Sequence, residues 1–81
     1  MQAGTIIAIN PQRGMFIVAI EGGDHAVFEL LDGIDLAVGD QVKGDLHALG
    51  GDDLLHVGHR RRFSVYGQSG PSSLSACRRL L

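Results

Sequence analysis

Between Gly4 and Ile20 the chain holds two apolar runs, Gly4–Ile9 and Met15–Ile20, joined by the polar segment Asn10-Pro11-Gln12-Arg13-Gly14. β-branched residues dominate both runs, and they favour a pleated, half-buried backbone. Asn-Pro followed by Arg-Gly is turn chemistry, so the stretch predicts an antiparallel hairpin. An isolated hairpin is marginal in water and needs further strands to cover its apolar face. The remaining residues must supply them.

They do so at regular intervals. Glu21-Gly22-Gly23-Asp24 is the next turn signal, and a third strand is predicted from His25 to Leu31, closed by Asp32-Gly33. A connection over Leu36–Asp40 leads to a fourth, partly exposed strand over Gln41–Leu49. Gly50-Gly51-Asp52-Asp53 signals another hairpin turn, and a fifth strand begins at Leu54, with Phe63, Val65 and Tyr66 as its continuation. Five short strands separated by glycine turns predict a small closed antiparallel barrel, since closure removes exposed edges. The barrel is expected over residues 1–66. Residues 67–81 form a Gly/Ser-rich linker and a basic tail, either one or two helical turns behind a serine cap at Ser72-Ser73 or disordered.

At 81 residues the chain is one domain with a core that yields only a few kcal/mol. No apolar run is long enough to span a bilayer, and no basic-then-apolar leader opens the chain, so a cytoplasmic protein is expected. The single cysteine, Cys77, cannot pair internally, in keeping with a reducing compartment. The net charge of −2 is unevenly spread. Residues 1–59 hold all nine acids against Arg13 and Lys43, a net −7, whereas residues 60–81 hold five arginines and no acid. Such asymmetry implies electrostatic contacts with a partner or between tail and body.

The hairpin residues resemble the opening of the cold-shock domain. Gly4-Thr5-Ile6, Asn10, Arg13-Gly14 and Met15-Phe16-Ile17-Val18 match that family's opening without a gap. Val27-Phe28-Glu29-Leu30-Leu31 and Gly39-Asp40-Gln41-Val42 fall on its later motifs, and the likeness covers roughly residues 3–58. It implies a five-stranded barrel of the oligonucleotide-binding (OB) type. It also implies single-stranded nucleic acid lying on aromatic rings with cations at the phosphates. At the platform positions this chain has Ala8, Met15, Ile17, Leu30 and Leu31; only Phe28 keeps a ring, and Arg13 keeps a cation. Phe16 stands where the family has glycine. Alternation directs it inward, and a one-residue slip would turn it outward.

Two functions from different classes follow. One is a weak single-stranded RNA or DNA binder using Arg13, Phe28, Arg60, Arg61, Arg62, Phe63 and Tyr66, where cations alternate with rings. The other is a protein-interaction or homodimerisation module whose patch is Ala8, Met15, Ile17, Leu30 and Leu31, with the chain's own tail packed across the sheet as the alternative cover. His56 and His59, three apart on a strand, would point to opposite faces, and no zinc-type spacing is present, so no metal is expected. There is no nucleophile elbow, phosphate-cradling loop or Cys/His pairing, so neither catalysis, a cofactor nor a small-molecule substrate is expected.

Overall fold

The first hairpin forms where alternation places it in a computed structural model that describes all 81 residues. Strand β1 (Gln2–Asn10) pairs antiparallel with β2 (Met15–Ile20), from Gly4 opposite Ile20 to Asn10 opposite Met15. The Asn10 carboxamide oxygen accepts the backbone N–H groups of Gln12 (3.2 Å) and Arg13 (3.4 Å), and Gly14 closes the turn at φ 66°. The register slips between Ile6 and Ala8, leaving Ile7 as a bulge. Ile6 and Ile9 therefore face the core, while Ile7 and Ala8 both face outward.

β3 (His25–Leu30) adds to β2, and the first half of β1 also pairs with β4 (Gln41–Gly44). β5 (Gly50–His56) and β6 (Arg61–Gly67) complete a closed antiparallel barrel in the order β1-β2-β3-β6-β5-β4. There are six strands rather than five. The expected fifth strand stops at His56, reverses over Val57–Arg60 with Arg60 at φ 52°, and returns as β6 between β5 and β3. Gly50–Asp53 is strand and not turn. The reversal lies earlier, where Asp45 accepts the His47 N–H with its carboxylate (3.3 Å) and the Ala48 N–H with its carbonyl (3.3 Å). This turn lays its backbone against Gly67, where any Cβ would strike the Ala48 carbonyl.

The core is aromatic at its centre. Phe16 stacks on Phe28 (centroids 5.8 Å) and leans on Phe63 (6.3 Å), all three at most 1% exposed. Phe16 thus points inward, with Phe28 opposite it across β2 and β3. Ile6, Val18, Val42, Leu54 and Val65 surround the rings. Leu46, dropped in from the β4–β5 turn, and Ile34, from the β3–β4 connection, are also buried in this cluster. The Leu46 N–H is satisfied by the Gln2 side chain at 2.9 Å.

After β6 the chain keeps pairing with β3. Gln68 donates its N–H to the Val27 carbonyl, and Ser72 forms a two-bond bridge with His25. Helix α1 (Leu74–Leu80) follows, capped by Ser73, whose hydroxyl accepts the Ala76 N–H at 3.2 Å. The tail is thus an ordered helix, laid across the outer faces of β1, β2 and β3. Phe16→Ala removes the ring that both other phenylalanines touch. A loss of about 3–5 kcal/mol is expected, measured by urea unfolding, enough to leave so small a domain largely unfolded at 25 °C.

Candidate functional site

Two outer faces hold the residues singled out from sequence. The first is the β1–β2–β3 face. Ile17 and Val27 are fully buried there with Cys77 of α1, and Ile7, Ala8, Met15, Leu74 and Leu81 pack around them. Ala8, Met15 and Ile17 are therefore covered by the chain's own helix. Leu30 instead packs against the main core, and only Leu31, 54% exposed, faces solvent. The expected five-residue patch is divided three ways, because β1 bulges at Ile7 and the end of β3 turns into the barrel mouth.

Arg13 belongs to this face, and its guanidinium is engaged. Nη1 donates to the carbonyls of Leu80 and Leu81, each at 3.2 Å, while the Asn10 amide nitrogen donates to Leu81 at 2.9 Å. A cation at a helix C-terminus satisfies orphan carbonyls and the negative end of the dipole. Arg13 thereby fastens α1. The Cys77 thiol beneath the helix is pushed above its ordinary value by burial, with a weaker opposing pull from the Ser69 side chain. Phe28 lies in the core at 0% exposure, so it offers no ring to a ligand on this face.

The second face is the outside of β4, β5 and β6. Arg60 ends the β5–β6 reversal and Arg61 and Arg62 open β6, all three exposed. Arg61 bonds Asp32 at 3.1 Å, whereas Arg60 and Arg62 make no ion pair. Phe63 is buried at 1%, while Tyr66 stands opposite Gly51, which has no side chain, and stays 47% exposed. Of the seven residues expected to bind nucleic acid, this face gathers the three arginines and Tyr66. Phe28 and Phe63 are turned inward by strand alternation, and Arg13 lies on the α1-covered face.

A buried polar centre sits where β5 ends. His56, 3% exposed, donates from Nε2 to the Asp40 carboxylate (2.8 Å) and accepts the His59 N–H at Nδ1 (3.0 Å). Both ring nitrogens are thus occupied, which selects the Nε2–H tautomer. The His59 ring stacks on it at 4.2 Å, so the two histidines share one side because the strand stops between them. These groups are not arranged as three ligands that could hold a metal ion. Asp40 also accepts the Ala37 N–H at 2.8 Å, and these donors, His56 foremost, hold its carboxyl below its ordinary 3.8. No sequence spacing pointed to this pair, since Asp40 and His56 meet only when β4 lies beside β5.

Such a molecule is a small closed antiparallel β-barrel, consistent with an OB-like barrel, with one short C-terminal helix. Comparisons with protein-family models, curated proteins and solved structures find no match to this chain. No helix is long and apolar enough to cross a membrane.

Two outcomes are expected. Cys77 reacts slowly with a thiol reagent in the native protein, and Arg13→Ala speeds that reaction several-fold while the strand circular dichroism is kept. Asp40 stabilises the fold through a depressed carboxyl, so its contribution is complete above about pH 4 and is lost as pH falls through the lower folded value. Asp40→Asn should lower Tm at neutral pH and flatten the fall of Tm below pH 4, read by thermal melts across that range.

Proposed function

We propose that this chain is a non-enzymatic, cytoplasmic binding module of cold-shock type that holds single-stranded nucleic acid weakly, through the β5–β6 reversal. The observation that carries this reading is the unpaired state of Arg60 and Arg62 in a domain rich in acids. Nine carboxylates are available, yet only Arg61 of this trio is neutralised, so two guanidinium groups are free for phosphate. Tyr66, on the same strand and the same outer side as Arg62, adds one stacking surface. One ring offers about 1–3 kcal/mol of stacking, and the surrounding acids oppose approach, so binding is weak and steeply salt-dependent.

The protein-interaction reading has less support. Three of the five residues that would carry it are covered by α1, and Leu30 packs inward. A partner on that face would have to lift the helix first.

A titration of labelled single-stranded DNA and RNA at two salt concentrations tests the proposal. Arg60→Ala with Arg62→Ala should reduce low-salt affinity about tenfold or more, with a shallower salt slope for each lost phosphate contact. Unchanged binding in the double variant would refute it. Absence of wild-type binding at low salt, with a concentration-dependent dimer on a sizing column, would favour the interaction module.

A further inference from the structure

We infer that the single strand does not stop at the arginine turn but crosses the barrel wall, held next by Lys43 and then entering the shallow groove on the outer side of β4, β1 and β2. This rests on the reading above and extends it to residues on three further strands.

The register places the residues. Arg62 of β6 is opposite Leu55 of β5, Leu55 is opposite Lys43 of β4, and Lys43 is opposite Ala3 of β1. All four lie on the outer side, because their chain neighbours Phe63, Leu54, Val42 and Gly4 are buried. The roots of Arg62 and Lys43 are two strand spacings apart, about 10 Å. Neither makes an ion pair, and half-buried Leu55 lies between them as an apolar floor. Two long cations flanking an apolar strip match the alternation of phosphate and sugar or base edge along a single strand.

Beyond Lys43 the surface falls into a groove of about 320 Å³. Ala3, Thr5 and Ala19 contribute short side chains to it, with Val57 beside them and Gln41 on its β4 side. Short side chains let a nucleotide approach the sheet, and the Thr5 hydroxyl and Gln41 amide can pair with base or sugar. Asp53 fixes the direction. It is two residues before Leu55 on the same outer side, held by the Ser64 hydroxyl at 3.2 Å, and would repel a strand running along β5. From Arg62 the path across the strands to Lys43 therefore avoids this carboxylate, whereas the path along β6 to Tyr66 passes it, because Asp53 faces Ser64 between the two. Glu21 on the groove rim marks where that path ends. The β1 and β2 residues of the groove lie along those strands from the part that α1 covers, which is Ile7, Ala8, Met15 and Ile17.

The test uses the full chain with labelled oligothymidylate at two salt concentrations. Variants are Lys43→Gln, Asp53→Asn and, on the α1 side, Arg78→Gln with Arg79→Gln; circular dichroism checks that each is folded. Lys43→Gln should weaken binding several-fold and reduce the salt slope by about 0.7, the value for one lost single-strand phosphate contact. Asp53→Asn should tighten binding, and the double arginine variant should change little. If Lys43→Gln leaves affinity and slope unaltered while the Arg60/Arg62 variant still loses binding, the crossing path is wrong and the arginine-turn reading stands. If wild-type protein binds no oligonucleotide, both fall. Equal binding of polyglutamate with the same dependence on Lys43 would identify an acidic peptide as the partner and overturn the assignment.

Discussion

Strand β1 is paired on both sides, with β2 along its length and with β4 along its first half, and the rest of the molecule depends on that double engagement. It closes the sheet and gives the three core phenylalanines an enclosed space. Beyond the part paired with β4 the strand carries a bulge at Ile7. An unbroken alternation would leave the two ends of β1 facing the barrel in the same phase. The bulge instead sends two consecutive apolar residues, Ile7 and Ala8, to the outside. An aliphatic strip on an outer face must be covered, and α1 is the cover.

The covering helix explains why the Arg13 guanidinium is engaged by the chain's own tail. A seven-residue helix is marginal by itself. It persists here because its start is capped by Ser73, its last carbonyls are met by Asn10 and Arg13, and Cys77 is buried beneath it. The same turn residue, Asn10, shapes the β1–β2 hairpin with its oxygen and holds the helix end with its nitrogen. Hairpin and tail thus share one side chain, which joins the two ends of the chain in a single packing arrangement.

Much of this architecture was legible from the residues. The hairpin, the third strand and the closed all-β class follow from β-branched runs and glycine turns, and the serine-capped helix is one of the two states that capping chemistry and composition left open for the tail. What was not legible has physical causes. Gly50–Asp53 has turn composition but lies in a strand, because pairing with β6 overrides local preference and Gly51 accommodates the neighbouring Tyr66. Phe63 and Tyr66 looked alike in sequence, and only the phase of β6, set by its pairing with β5, sends one inward and the other out. Asp40 and His56 are sixteen residues apart and acquire a shared role only through the pairing of β4 with β5.

Tyr66 has an optical consequence. The chain has no tryptophan and one tyrosine, so absorbance and emission near 280–300 nm come from essentially one half-exposed ring on the outside of β6. The ring lies opposite Glu29 of β3 on one side and Gly51 of β5 on the other, four residues along β6 from Arg62. Its fluorescence is therefore an intrinsic reporter of one wall of the barrel, sensitive to a flat molecule settling there.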